Sequence, residues 1–301
     1  MSVSKLKKGP KIAIGKTKTI FEVAEHPDLC WLENRDQITA FDDPEATRVM
    51  DRKAVFAATT TINVFEFLAR HGVRVAYRAQ VSDTAFVAQL CEMIPLEVIA
   101  RRYPVGSYLK RHPELVKPEG VEPHCFDEPL IELFLKTSGG SLDFRGRSIV
   151  QGLDPKAGHE DPFMVANIHC VGSWLLYHSK KPVGESGFLG KHVQESAIGL
   201  DLEKILIIKK ITKTVFLLLE QAWKRLDCKL IDFKLEFGFN SKGEIVLADV
   251  IDADSWRLRD KEWKDLSKQS FRDGEALGEV SRKYALVADM TQKFAQMRID
   301  I

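Results

Sequence analysis

Alternation of apolar with polar residues marks the start of the chain as β-rich. Over residues 11–32, Ile12, Ile14, Thr17, Thr19, Ile20, Phe21 and Val23 predict a hairpin that closes on Leu29-Cys30-Trp31-Leu32 after His26-Pro27-Asp28. Asp36-Gln37-Ile38-Thr39-Ala40 is a second short element. Residues 52–69 then change period, with Val55, Ala58, Ile62, Phe65 and Leu68 on one helical stripe that ends before Gly72. Strands are expected at 73–77, 86–87 and 91–94, where Pro95 marks a break, and again at 96–101. A short turn of helix is expected at 108–111, an irregular excursion at 116–130 and a strand at 130–136. From 137 to about 199 the frequent glycines, prolines and lysines predict long loops, with a helix only at 163–177. The clearest helix is 202–226, whose apolar face includes Leu206, Val215, Leu218, Leu219 and Trp223, and a second long helix near 279–297 closes the chain.

One segment breaks the ordinary division of apolar inside and polar outside. Along Asp232-Phe233-Lys234-Leu235-Glu236-Phe237 a strand period puts Asp232, Lys234 and Glu236 on one face and three large apolar side chains on the other. Asn240-Ser241-Lys242-Gly243 has the composition of a hairpin turn, and pairing 240 with 243 sets Asp249 opposite Lys234, flanked diagonally by Asp232 and Glu236. Carboxylates gathered in this way repel one another unless a cation joins them, and hard oxygen ligands suit Mg²⁺ carrying nucleotide phosphates. A register slip of one residue would turn Asp249 to the opposite face. The competing reading is a solvated face of alternating sign, against which the apolar returning strand (Ile245, Val246, Leu247, Ala248, Val250, Ile251) argues.

Composition narrows the remaining chemistry. At 301 residues the chain makes one large domain or two lobes with a cleft. Lysine plus arginine (44) nearly cancels aspartate plus glutamate (43), so no global field favours nucleic acid or acidic membranes, and any anion site must be local. The five cysteines show no CxxC spacing and read as structural free thiols of a reducing compartment. No signal-peptide core or membrane-length apolar run occurs, which points to a soluble cytoplasmic protein.

Two further segments are candidate anion sites. Gly15-Lys16-Thr17-Lys18 nearly imitates a P-loop with Gly9 upstream, but the glycines are one residue too far apart and Thr19-Ile20-Phe21-Glu22-Val23 reads as strand, not helix. A hairpin tip bearing Gly15, Lys16 and Lys18 can instead fold over a nucleotide and neutralise its phosphates; two solvated surface lysines are the plainer alternative. Arg101-Arg102, Gly106-Ser107 and Lys110-Arg111 gather four cations and a hydroxyl after a strand, which suits a phosphorylated small molecule as well as it suits a basic surface loop. Lys136 and Arg257 are further anion candidates. The eight histidines form no HxH or HExxH spacing, no serine sits in GxSxG, and the HRD and DFG signatures of protein kinases are missing. There remains an inventory for ATP-dependent activation of a small phosphorylated substrate.

These motifs together resemble the SAICAR synthase family of purine biosynthesis, and the animal form more than the bacterial one. The resemblance is carried by Gly15-Lys16-Thr17-Lys18, Asp36-Gln37-Ile38-Thr39-Ala40, Cys91-Glu92-Met93-Ile94-Pro95-Leu96-Glu97, Arg101-Arg102 with Gly106-Ser107-Tyr108-Leu109-Lys110-Arg111, Glu132-Leu133-Phe134-Leu135-Lys136, and the segments 230–238 and 247–258, in the family's order. It implies an α+β protein of two lobes: a β-rich nucleotide lobe over 1–94 and a larger lobe over 95–301, with ATP in the cleft. It implies a ligase that joins carboxyaminoimidazole ribotide (CAIR) to L-aspartate with ATP and Mg²⁺, through an acyl phosphate, and releases ADP and phosphate.

By the same resemblance Gly15, Lys16 and Lys18 hold the ATP phosphates, the backbone around Met93 holds adenine at the hinge, and Glu236 and Asp249 hold magnesium. Arg101, Gly106, Ser107, Arg257 and Arg272 hold the ribotide phosphate and its surroundings, and Lys136, Asp232 and Lys234 face the reacting groups. It leaves room for a homo-oligomer or for association with other purine-pathway enzymes. Other ATP-dependent carboxylate ligases, small-molecule kinases, and a nucleotide-binding descendant without turnover stay open as alternatives. The chain departs from the family pattern in Phe41 before Asp42-Asp43, and in Thr137-Ser138-Gly139-Gly140 after Lys136, so that 137–200 match poorly. It also ends near Ile301, without the carboxylase domain that follows the synthase in animal bifunctional proteins.

Overall fold

The computed structural model describes residues 6–40, 44–118 and 121–300; the departure at Phe41 and Asp42 lies outside them. The fold is α+β with antiparallel sheets, and the chain forms two compact units. The first takes Met1–Glu92, Leu217–Leu230 and Gly238–Ile301, the second Met93–Phe216 and Ile231–Phe237.

In the first unit, β1 (Lys8–Ile14), β2 (Lys18–Val23) and β3 (Leu29–Asn34) run antiparallel as their β-branched and aromatic content predicts. Next come β4 (Gln37–Thr39), β5 (Thr47–Val49), α1 (Lys53–Arg70), β6 (Tyr77–Gln80) and β7 (Ala85–Gln89), and the main sheet has the order β1-β2-β3-β7-β6. Helix α1 buries Ala58, Ile62, Phe65 and Leu68 of the stripe read from the sequence, while Val55 is only half-buried. The carboxylate of Asp36 accepts the N–H of Ala54 at 2.8 Å, satisfying one of the donors that a helix start leaves unpaired. At the other end Gly72 takes φ 81° and lets the N–H of Val73 reach the carbonyl of Leu68 at 3.1 Å, a helix stop that favours glycine.

The second unit continues through β8 (Glu92–Met93), β9 (Leu96–Arg101), α2 (Ser107–Arg111), β10 (Leu130–Leu135), β11 (Leu142–Phe144), β12 (Arg147–Val150), β13 (Phe163–Ala166), β14 (Ser173–Tyr177), β15 (Phe188–Gln194), α3 (Leu202–Lys224) and β16 (Lys229–Phe239), the bounds of β8, α3 and β16 running past those of the unit. Its sheet has the order β15-β14-β13-β10-β9-β16. One face of the central strands is apolar: Val98, Ala100, Leu133, Phe233 and Leu235 are all buried, and Phe216 of α3 packs against Phe233 with ring centroids 5.2 Å apart.

The helix expected at 163–177 is instead the β13–β14 hairpin. Residues 167–172 interrupt any helical stripe: the Asn167 carboxamide accepts the N–H of His169 at 3.0 Å, and Gly172 takes φ 76°. Met164, Trp174 and Leu176 then bury themselves with strand periodicity.

The first unit resumes with β17 (Ile245–Ala248), β18 (Trp256–Arg259), α4 (Gln269–Arg272) and α5 (Leu277–Gln292). Helix α5 and the turn after it lie on α1: Asn63 bonds Thr291 at 3.0 Å, Arg70 donates to the carbonyl of Phe294 at 3.0 Å, and the rings of Phe67 and Phe294 are 5.2 Å apart. The N-terminal segment of this unit ends at Glu92, close to the 94/95 boundary drawn from the sequence. The C-terminal segments return to the same unit through these packing contacts, which a single cut in the chain cannot express. Among the described residues no helix is long and apolar enough to cross a membrane.

Candidate active site

In the second unit, the strand period puts a charged lattice on the face opposite α3. Asp232 pairs directly across from Arg101, Lys234 from Ile99, and Ile99 from Glu132, so Glu97, Arg101, Glu132, Asp232, Lys234 and Glu236 all share that face. Arg101 is 2% exposed and forks between two carboxylates, Nε to Glu132 at 2.7 Å and Nη1 to Asp232 at 2.5 Å. Its Nη2 reaches the hydroxyl of Ser107 at 3.4 Å. Arg111, also buried, donates to the second oxygen of Glu132, and burial lowers its pKa despite that partner.

Ser107 opens α2 because Gly106 precedes it with φ 57° and ψ −125°, a backbone region that only glycine enters readily.

Farther along the same face Glu236, 6% exposed, accepts from Lys136 at 2.5 Å and from Lys234 at 3.4 Å, while Lys234 also donates to Glu97 at 2.6 Å. Burial opposes the charge of Lys234, but Glu97 and Glu236 outweigh it and hold its pKa above the usual lysine range. Lys234 is therefore a fixed cation at neutral pH, suited to neutralising an anion and unsuited to removing a proton.

Beside this group Asp161 accepts the N–H of Thr137 at 2.8 Å, and the N–H of Asp161 donates to the Thr137 hydroxyl at 3.0 Å. Its pKa is pushed up to about 6, chiefly by burial and also by Glu97 and Glu160, against the opposing pull of Thr137 and Lys234. Met93, the first residue of this unit, is 38% exposed, and the N–H of the next residue, Ile94, donates to the carbonyl of Phe237 at 2.9 Å.

The first unit holds the other candidates. Gly15 and Lys18 close the β1–β2 hairpin through an N–H to carbonyl bond of 2.8 Å; Lys16 is exposed at the tip, and the part-buried Lys18 is ion-paired with Asp249. The register expected for the 232–252 hairpin needs correction. Its turn is closed by Asn240 and Glu244, whose N–H to carbonyl bond is 3.0 Å, one residue longer than the 240–243 pairing, with Gly243 at φ 75° taking the left-handed position of the longer loop. Asp249 lies just beyond β17 with φ 60°, so it leaves the strand alternation altogether. Glu236 and Asp249 belong to different units, and among the described residues no group of three or more His, Cys, Asp or Glu side chains could hold a metal ion.

Arg257 on β18 is linked to α4 by its Nε, 3.4 Å from the Gln269 carboxamide, and Arg272 stands one helical turn beyond Gln269. Asp254 anchors the loop between β17 and β18. It accepts from Lys53 at 3.2 Å, Lys268 at 3.4 Å and the hydroxyl of Tyr284 at 2.5 Å. Burial raises its pKa, yet these cations and the hydroxyl more than compensate and hold it below the carboxylate range.

Sequence reading missed Glu97, Glu132, Asp161, Lys53 and Asp254. Glu97 and Glu132 had a usable signal, a lone carboxylate inside an apolar strand, whereas the partners of Asp161 and Lys53 are set by tertiary folding. The cysteines are all free; burial pushes Cys30 up to about 12 and Cys91 and Cys228 up to about 11, which makes these three unreactive thiols.

A family model described as SAICAR synthetase matches residues 11–145 and 188–291. The unmatched 146–187 lie within the 137–200 stretch that departs from the family pattern. Over 304 residues the chain is 35% identical to the multifunctional protein ADE2 of Gallus gallus, covering 97% of this chain and 60% of that protein. It is 33% identical over 297 residues to phosphoribosylaminoimidazole-succinocarboxamide synthase of Herpetosiphon aurantiacus, covering 95% of this chain and 98% of that protein. The chain thus spans 60% of the multifunctional relative's length and nearly all of the single-function one's. Among solved structures, phosphoribosylaminoimidazole-succinocarboxamide synthase from Ehrlichia chaffeensis gives a TM-score of 0.69 at 23% identity over 94% of this chain and 98% of that one. A structure described as SAICAR synthetase (Type-2) in complex with ADP gives 0.67 at 24% identity over 96% and 99%. At these identities the structural likenesses establish the fold.

Proposed function

The chain belongs to the SAICAR synthetase family, and from that membership we propose that it joins CAIR to L-aspartate at the expense of ATP, as a cytoplasmic ligase of de novo purine biosynthesis. The observation that carries this reading is the near full-length match to a single-function synthase. The charged lattice of the second unit agrees with it.

The chemistry rests on the weakness of a carboxylate as electrophile. Transfer of the ATP γ-phosphoryl group to a CAIR carboxylate oxygen releases ADP and leaves an acyl phosphate. The amine of aspartate attacks the carbonyl carbon, the bond from that carbon to the phosphorylated oxygen breaks, phosphate departs, and the nitrogen loses its proton.

In this scheme Lys16, Lys18 and the backbone at Gly15 hold the ATP phosphates, and the backbone at Met93 holds adenine. The exposed side chains of Ile12 and Ile14 on β1 offer an apolar surface suited to a base. Support for a nucleotide also comes from the ADP complex of the related Type-2 synthetase.

For magnesium, the carboxylates of Glu236 in the second unit and Asp249 in the first are each hard oxygen donors of the kind Mg²⁺ takes, each now compensated by lysine ammonium groups, with phosphate oxygens and water as the further ligands that Mg²⁺ prefers. Bound there, the ion would neutralise the phosphate oxygens during transfer. Ser107 and the N–H groups after Gly106 receive the ribotide phosphate, ordered by Arg101 beneath them, with Arg257 and Arg272 as further cations. Lys136 and Lys234 act at the reacting groups, Lys234 as a fixed cation, and Asp232 holds Arg101 in place.

Mass spectrometry of a reaction containing ATP, Mg²⁺, CAIR and ¹⁵N-labelled aspartate tests the assignment. A product carrying both the ribotide and the ¹⁵N is expected; ATP consumption without such an adduct would refute it.

A further inference from the structure

We propose that the first unit carries a second ligand site, separate from the residues assigned above, for a small phosphomonoester bearing a planar ring with N–H groups, the chemistry of a nucleoside monophosphate. A cavity of about 570 Å³ opens beside the C-terminal end of α1, β6 and the turn after β16. That volume is in the range of small-molecule sites. None of Gly15, Lys16, Lys18, Asp249, Arg257 or Arg272 lines it.

The lining is cationic in a protein whose total charge is close to zero. Arg70, Arg74, Arg78 and Lys242 face two carboxylates, Glu66 and Glu244. Both carboxylates are engaged: Glu66 accepts the hydroxyl of Tyr77 at 3.0 Å, and Glu244 accepts Arg74 at 3.3 Å and the Asn240 carboxamide at 3.0 Å. Arg78 donates to the carbonyls of Val75 at 3.1 Å and Tyr77 at 2.9 Å, neutral acceptors that leave its charge uncancelled. Two cations in excess match the charge of about −2 on a phosphomonoester at neutral pH, and guanidinium forks suit its oxygens.

The rest of the cavity suits a ring. Val73, Val75, Tyr77 and Val246 are buried apolar or aromatic side chains on its wall. Gln89, which also lines it, has an amide oxygen buried with no hydrogen-bond partner. An acceptor without a partner is unfavourable, and the terminal amide torsion is soft, so turning it toward a ligand N–H would satisfy it.

Isothermal titration of the full chain with AMP, in ADP and Mg²⁺ at saturation, tests the proposal; titration with ADP alone reports separately on the catalytic nucleotide site. One AMP per chain is expected, bound about tenfold or more tighter than inorganic phosphate. Arg78→Glu and, separately, Lys242→Glu replace exposed side chains. Each is expected to weaken AMP by about tenfold, with thermal midpoint and ADP affinity unchanged. The proposal is overturned by no AMP binding at saturating ADP, by equal affinity for AMP and inorganic phosphate, by indifference to both reversals, or by joint loss of AMP and ADP binding.

Discussion

Lys234 shows how a single residue's environment decides its chemistry. Alternation along β16 already placed it with Asp232 and Glu236 on one face, but its partner Glu97 and the diversion of Asp232 to Arg101 depend on the β9 register. Asp161 was illegible for the same reason, since its burial and, Glu160 apart, the groups that shift it come from segments distant in sequence. Its pKa of about 6 exceeds the usual 3.8, so between these values the folded state holds the proton more tightly than the unfolded chain. The associated stability is full below the lower value and is lost as pH rises through about 6. Asp161→Asn is therefore expected to be more stable than the parent by about 1–2 kcal/mol at neutral pH, after discounting for partial exposure, with the advantage vanishing near pH 4. Urea midpoints across that range check it; a pH-independent difference would contradict it. For Glu236→Gln the expectation is the reverse, a loss of turnover of about 100-fold or more with a stability change of about 1 kcal/mol. Activity beside circular dichroism separates the two, and parallel loss of both would count against a metal role.

At the scale of elements, periodicity found α1, α3, α5, β2, β3 and β7, which bury apolar side chains; β1 is exposed along nearly its whole length, β6 begins only at Tyr77, where the expected strand ended, and Leu206, read as part of the α3 face, is exposed. Two failures have local causes. The 163–177 hairpin hid behind helix-compatible residues, and the 240–244 turn is one residue longer than its composition suggested, while Asp249 leaves the ladder through its own left-handed backbone just past β17. Two elements invite tests. Gly106→Ala forces a side chain into the strained start of α2, so unfolding is expected to be easier by about 1–3 kcal/mol and the KM for CAIR to rise as Ser107 shifts. Lys53 at the start of α1 joins the β17–β18 loop, which Tyr284 of α5 also holds, through Asp254. Lys53→Met breaks a buried pair and should cost about 3 kcal/mol or more in urea unfolding; an unchanged midpoint would mean that Lys268 and Tyr284 alone compensate Asp254.

For the whole molecule, the α+β class and the ordered family motifs were legible, since both are written in local residue patterns. The return of the C-terminal segments to the first unit was not, because it rests on contacts between α1 and α5 that are far apart in the chain. The coupling of ATP cleavage to amide formation is a property of the whole molecule as well. ADP release by the full chain with ATP and Mg²⁺, omitting CAIR and aspartate in turn, tests it without relying on any single residue. Sustained release is expected only with both present. Equal steady-state release without aspartate would mean that cleavage and ligation are not coupled.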